Sequence, residues 1–167
     1  MTDETTARLA LPLLQPGQAQ KELYHNEALA LLDLATQAVV EAVGVDTPPG
    51  APDLGACWVV GSAPNGAWAG HAHAIAGWTS GGWRFVAPRE GLSVWDRGEG
   101  QQSRFAGGGW RDGVLTGRRL QIDGNSVVGP RGLAIDDPAG GTTVDAEART
   151  AIAAILETLR GHGLIVA

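Results

Sequence analysis

All six tryptophans of this chain, Trp58, Trp68, Trp78, Trp83, Trp95 and Trp110, fall in one central block, and both phenylalanines, Phe85 and Phe105, fall there too. That block is rich in glycine, whereas the flanking segments are rich in Ala and Leu. Large rings are what a small β-unit needs to close a core, so the distribution assigns the β-structure to the middle and helices to the ends. The composition agrees: 25 Gly and 9 Pro with only 18% charged residues favour many turns over long surface helices. The length of 167 residues suits one ordinary domain, or a small one with helical appendages.

The expected fold class is α+β. Residues 1–14 read as an N-terminal arm, with Leu11, Leu13 and Leu14 around Pro12 docking on the body or on a neighbour. Residues 15–46 read as a helix, in which Tyr24, Ala28, Leu31, Ala35, Ala38 and Ala42 recur at helical spacing, ended by Gly44. Thr47 to Pro52 is a stiff linker. Residues 53–115 form the Trp-rich antiparallel β-domain, with Ser80-Gly81-Gly82 as a hairpin turn before Trp83. Residues 116–141 carry one more hairpin, turning at Asp123-Gly124-Asn125, and a linker. Residues 142–167 hold a C-terminal helix capped by Asp145 or Thr143, whose stripe of Ile152, Ile155, Leu156 and Leu159 needs a body or a partner to cover it.

Charge and cysteine content narrow the function. The net charge is −6, Lys21 is the only lysine, and no basic stripe is present, which argues against nucleic acid as a partner. Arg118-Arg119 is the nearest candidate and reads as a solvated turn or strand edge. The polar start, Met1 to Thr6, lacks the features of a signal peptide, and no apolar run approaches a membrane span, so synthesis in a bacterial cytoplasm without membrane insertion is expected. Cys57 is the single cysteine and, beside Trp58 in an apolar run, reads as a buried, inert thiol.

No catalytic residue is expected. Gly91-Leu92-Ser93-Val94-Trp95 lacks the closing glycine of a nucleophile elbow, and Gly98 to Ser103 follows a dinucleotide loop only to its second glycine. Asp96 with Glu99, and Asp136 with Asp137, are the acidic pairs a glycan-active enzyme would draw on, but both read as loop acids. His71 and His73 could face one side of a strand, yet no third ligand is marked. No metal and no cofactor is therefore expected. His25-Asn26-Glu27, early in the first helix, is read as capping loops of the β-domain.

Sugar binding is the functional alternative to a purely structural role. Trp68, Trp78, Trp83 and Trp110 border Gly-rich turns and are expected to be exposed, where flat rings stack on pyranose faces. Trp58 and Trp95 lie inside apolar strands and are expected in the core.

Three blocks also carry a family resemblance: Gln15-Pro16-Gly17-Gln18-Ala19-Gln20-Lys21 with His25-Asn26-Glu27-Ala28-Leu29; Gly66-Ala67-Trp68-Ala69-Gly70-His71; and Gly82-Trp83-Arg84-Phe85-Val86-Ala87-Pro88-Arg89-Glu90-Gly91. Over roughly residues 9 to 111 the chain resembles the phage-related "domain of unknown function 2793" family. Where that family usually reads Lys-His-Val-Thr-His, this chain has Lys21-Glu22-Leu23-Tyr24-His25. The resemblance implies a virion component on the surface of a phage-like particle: the head-spike base of a gene transfer agent, or a fibre protein. It further implies a homo-oligomer (trimer in a fibre, pentamer at a capsid vertex) that joins capsid, spike or fibre proteins. Leu11, Leu13, Leu14, Ile152, Ile155 and Leu159 would make those contacts, and host polysaccharide would be a further ligand. A connector with no ligand is the alternative role. The family supplies no catalytic residue.

Overall fold

A computed structural model describes residues 5–17 and 19–166; Met1 to Glu4, the first part of the expected arm, and Gln18 of the first signature block lie outside them. The fold class is α+β. The chain divides into two compact units, Met1–Val114 and Leu115–Ala167.

In the first unit, helix α1 (Lys21–Ala35) is followed by short strands. These are β1 (Val39–Val40), β2 (Cys57–Val59), β3 (Ile75–Thr79), β4 (Gly82–Val86), β5 (Ser93–Asp96), β6 (Gln101–Ala106) and β7 (Gly109–Asp112). One sheet runs β1-β5-β6-β7, with β1 parallel to β5 and the rest antiparallel; a second runs β2-β3-β4, all antiparallel. The chain beyond β1 joins the two, because Glu41 N donates to Cys57 O (2.8 Å) and Val59 N donates to Ala42 O (3.0 Å). The β3–β4 hairpin turns where Thr79 Oγ1 donates to Gly82 O (2.8 Å), across Ser80-Gly81.

The first helix is shorter than its periodicity suggests. It stops at Ala35, and Ala38, Val39 and Val40 leave it to enter the core and pair with β5. Two features break it: Gln37 takes φ 44°, and the β-branched pair Val39-Val40 suits a pleated strand better than a helix. The expected stripe is also out of phase, since Tyr24 and Ala28 are exposed while Asp33 and Leu34 are buried. Leu34 packs on Gly77 of β3, where a Cβ would lie 2.7 Å from Leu34 Cδ1. Around that contact Ala38, Val40, Cys57, Val59, Ile75 and Val94 form the main core. Each large aliphatic side chain buried there contributes about 1.5–3 kcal/mol.

The arm docks on its own helix. The buried Asp33 carboxylate accepts Thr6 Oγ1 (2.8 Å), Arg8 N (3.1 Å) and Leu9 N (2.7 Å). The Arg8 guanidinium donates to the carbonyls of Asp33, Leu34, Thr36 and Gln37, which the helix end leaves without partners.

The second unit has a hairpin, β8 (Leu120–Ile122) and β9 (Asn125–Val128), then helix α2 (Ala146–Gly161). Asp123 and Gly124 take φ 48° and 78°, the pair of positive values a two-residue hairpin turn requires. Asp145 caps α2 as expected, its carboxylate accepting Ala148 N at 2.8 Å. The segment before α2 lies along the helix: Arg160 donates to Ile135 O (2.6 Å) and pairs with Asp137 (3.1 Å), and Arg149 donates to the carbonyls of Pro138 and Gly140. The buried apolar side chains of this unit among the described residues are Leu156 and Ile165.

Candidate functional site

Two signature blocks meet in space. Glu27 of α1 pairs with Arg84 of β4, Oε2 to Nε at 2.8 Å. Arg84 Nη1 also donates to Gly81 O and Trp83 O (both 3.1 Å), tying the ion pair to the β3–β4 turn. On the preceding residue of α1, the Asn26 amide grips the arm from both sides, accepting Leu14 N (2.9 Å) and donating to Leu14 O (3.0 Å). The expectation that His25-Asn26-Glu27 caps loops of the β-domain is met by Glu27 alone, through Arg84 and the β3–β4 turn; Asn26 holds the arm instead. Their work is to hold the arm and the hairpin on α1. A cleft of about 410 Å³ lies between these parts, lined by Leu13, Leu14, Asn26, Glu27, Leu34 and Arg84 among others.

The tryptophans lie mostly on the opposite side of the same sheet. The β3–β4 register pairs Gly77 with Arg84 and Trp78 with Trp83, so strand alternation separates them. Gly77 and Arg84 face α1, whereas Trp58, Ala76, Trp78, Trp83 and Phe85 share the other face. There Trp83 stands edge-on to Trp58 (centroids 5.7 Å, 72°) and to Trp78 (5.0 Å, 64°). The three rings and Phe85 are half-buried. His71 lies flat on Phe85, with centroids 3.6 Å apart and planes 4° apart.

Two expectations about individual rings are corrected. Trp68 is not a turn-exposed platform: it is 0% exposed, packed against Trp58 and edge-on to Trp83, and its ring fills the second core with Val60 and Ala76. Its position in the short 3-10 turn Gly66–Trp68 folds the ring inward, although the sequence places it beside glycines. Conversely, Trp95 is not core. It alternates outward between buried Val94 and Asp96 and is 49% exposed. Trp58 is likewise only half-buried rather than enclosed. Trp78 and Trp83 meet edge-on and are half-buried rather than exposed, and Trp110 sits apart on β7, half-buried against the main core. Its indole Nε1 donates to His73 O at 2.9 Å.

Other candidates resolve into structural parts. His71 and His73 do not share a strand face: both lie in a turn before β3, with His73 at φ 64°. Among the described residues no cluster of three His, Cys, Asp or Glu could hold a metal ion. Asp96 is buried and turns its own loop, Oδ1 accepting Gly98 N (2.9 Å) and Glu99 N (3.3 Å). Burial pushes the Cys57 thiol up to about 11, as expected for an enclosed, inert sulfur. Of the expected contact residues, Leu11, Leu13 and Leu14 are half-buried in the docked arm, Leu159 is half-buried, and Ile152 and Ile155 are exposed. Sequence reasoning missed Asp33 and Arg8, the pair that fixes the arm; a polar residue inside an apolar helix stretch was the signal available for Asp33.

No helix among the described residues is long and apolar enough to cross a membrane. No curated protein matches the chain. The family model described as "Protein of unknown function (DUF2793)" matches residues 25–111, more than half of the chain. That span runs from His25 in α1 to Arg111 in β7 and contains the Glu27–Arg84 pair, the aromatic face and both cores of the first unit. The chain belongs to the DUF2793 family.

Proposed function

We propose that this protein is a structural, non-catalytic subunit of a phage-like particle, a head-spike or fibre base of the gene transfer agent kind, built from several copies of the chain. The observation that carries the reading is the uncovered apolar surface of the second unit. Leu115 and Leu133 are 87% and 85% exposed, Ile155 on α2 is 59% exposed, and Leu120, Ile122, Val127 and Val128 of the hairpin are all exposed. A unit of about fifty residues cannot hold itself together on two buried side chains. Small domains make up such a deficit with disulfides, metals or subunit contacts. The only cysteine lies in the first unit and, among the described residues, no group of three His, Cys, Asp or Glu could hold a metal ion, so subunit contacts are the device that fits.

A second copy is the fitting occupant. The second unit carries five Arg against six Asp and Glu, so like copies approach without strong repulsion. The first unit has its own two cores, and attachment to host polysaccharide is the role this reading gives its aromatic residues.

The test is the mass of the full chain in solution by sedimentation, with Ile155→Asp as the variant. A concentration-dependent oligomer that the variant dissociates supports the reading, and so does recovery of the chain in purified particles. A strict monomer at high concentration, absent from particles, refutes it. All six tryptophans lie in the first unit, so their fluorescence reports whether that unit stays folded in the variant.

A further inference from the structure

We infer that the outer face of the β1-β5-β6-β7 sheet is a docking surface for a short acidic segment of another protein, taken by the guanidinium groups of Arg104 and Arg111 beside the exposed ring of Trp95. This goes beyond the proposed assembly of like copies, because the face lies wholly within the first unit and requires no second copy.

Strand alternation and register build this face. On β5, Val94 and Asp96 are buried, so Ser93 and Trp95 turn the other way. The pairings Ser93 with Arg104, Trp95 with Gln102 and Arg104 with Arg111 then put Gln102, Arg104 and Arg111 on that same side, and all three are exposed. The acids of these strands fall on the opposite side: Asp96 turns its own loop, and Asp112 accepts Ser103 Oγ. Glu90 is spent at the β6–β7 turn, accepting Gly107 N at 3.1 Å. Among the described residues neither Arg104 nor Arg111 enters an ion pair, although Arg84 and Arg97 are matched with Glu27 and Glu41. Like charges directly opposite one another on paired strands are destabilising, so the two arginines cost the free chain stability that an anionic partner restores.

Three properties of the face select that partner. First, guanidinium groups meet carboxylates through two parallel N–H bonds, a fit that a simple point charge does not offer. Second, Arg and Trp side by side on an open surface are the residues that anchor protein–protein contacts. Small ligands are held in concavities, and none of these side chains lines the cleft of about 410 Å³ against α1. Third, the positive charge is confined to this pair, since the first unit as a whole carries seven Lys and Arg against twelve Asp and Glu. A nucleic acid or an acidic polysaccharide would run on from the pair across a repelling field. A short segment with a few carboxylates ends where the cations end.

The full chain, isotope-labelled for magnetic resonance, is titrated with the peptide Glu-Glu-Leu-Leu-Glu-Glu while the side-chain N–H signals of Trp95, Gln102, Arg104 and Arg111 are followed. The expected result is a saturable shift confined to these groups, with an affinity that falls about tenfold in Arg104→Gln and in Arg111→Gln. Arg118→Gln, which removes an exposed arginine of the second unit, leaves the affinity unchanged. Without peptide, Arg104→Gln raises the urea midpoint of unfolding, because the repulsion across the strands is gone. No shift at millimolar peptide overturns the proposal, as does an equal shift with the neutral peptide Gln-Gln-Leu-Leu-Gln-Gln. An equal or stronger response to alginate or to an oligodeoxynucleotide assigns the face to a polyanion and overturns it too. A lowered urea midpoint in Arg104→Gln makes the pair a part of the fold instead of a docking device. Sedimentation of the same samples separates this face from the assembly of copies. An oligomer that dissociates in Arg104→Gln makes a second copy the occupant and overturns the acidic partner; one that persists while peptide affinity falls supports it.

Discussion

Asp33→Ala is expected to release the N-terminal arm while leaving α1 and both sheets of the first unit in place. The carboxylate accepts three hydrogen bonds from the arm: Thr6 Oγ1, Arg8 N and Leu9 N. Bonds to a carboxylate contribute about 1.5–3 kcal/mol each when the donors are otherwise left without partners. Removing all three cannot cost their full sum, because the arm can lift and let water take the donors. Lifting also recovers backbone freedom of about 1–2 kcal/mol per residue released. Docking of the arm is therefore favourable by only a few kcal/mol, and a loss of about 3 kcal/mol cancels most of it, equivalent to roughly 100-fold in the opening equilibrium. Amide hydrogen exchange reads this directly. The Leu9 and Leu11 amides, which donate to Asp33 and to Thr6 Oγ1, should lose about two orders of magnitude of protection. The Val59 amide, bonded to Ala42 O in the main core, should keep its own. Asp33→Asn, which preserves shape and some acceptor capacity, should fall between. Full protection of Leu9 in Asp33→Ala would refute the reasoning and shift the anchoring to Arg8 and Asn26.

Two further outcomes follow from the core. Gly77→Ala should destabilise the protein by about 1–3 kcal/mol in urea unfolding, because the added methyl meets the fully buried Leu34 side chain, with Cδ1 at 2.7 Å. Gly109→Ala, at a β7 position where a Cβ meets nothing within 4 Å, should cost far less. The Cys57 thiol, raised from 9.0 to about 11 by burial, should stay unreactive toward a disulfide reagent at pH 8 in the native state. Because the native state holds the proton more tightly, its stability is complete below pH 9 and declines between pH 9 and 11, by about 3 kcal/mol. The difference between wild type and Cys57→Ala across that interval isolates this contribution.

Those parts of the fold that depend on local chemistry were legible in the sequence. The Asp123-Gly124 turn, the Asp145 cap and the aromatic strands all follow from residue types acting on their immediate neighbours. The first helix was harder because its buried face is partly polar. Asn26, Glu27 and Asp33 share the side that carries Leu34, and apolar periodicity reads such residues as solvent-facing. Their partners (Leu14, Arg84 and the arm from Thr6 to Leu9) are remote in sequence, so nothing local marks these side chains as inward. Trp68 and Trp95 exchanged their expected places for a related reason. Adjacent glycines suggest an exposed turn for Trp68, yet the same freedom lets the short 3-10 turn tuck the ring under Trp83. The apolar neighbours of Trp95 suggest burial, yet a strand with one buried face must send every second residue outward.

On the proposed reading, the division of roles between the two units has an energetic logic. A ring stacked on a sugar contributes about 0.5–1.5 kcal/mol beyond its burial, so a shallow aromatic surface on one chain would bind only near the millimolar level, about −4 kcal/mol. Deepening the site would require a larger aromatic domain, and the first unit already spends Trp68 wholly on its own core. Copies joined through the second unit, as proposed, would raise the effective strength without any new contact, by roughly 10²–10⁴ when linked sites engage one polymer together. A repeating polysaccharide is the ligand for which that gain is available, since each copy meets an equivalent stretch of chain. On this reasoning Ile155→Asp should abolish adhesion to a polysaccharide-coated surface while leaving the fold of each first unit, read by the fluorescence of its six tryptophans, unchanged. An Ile155→Asp monomer that adheres as well as the wild type would break the link between assembly and attachment.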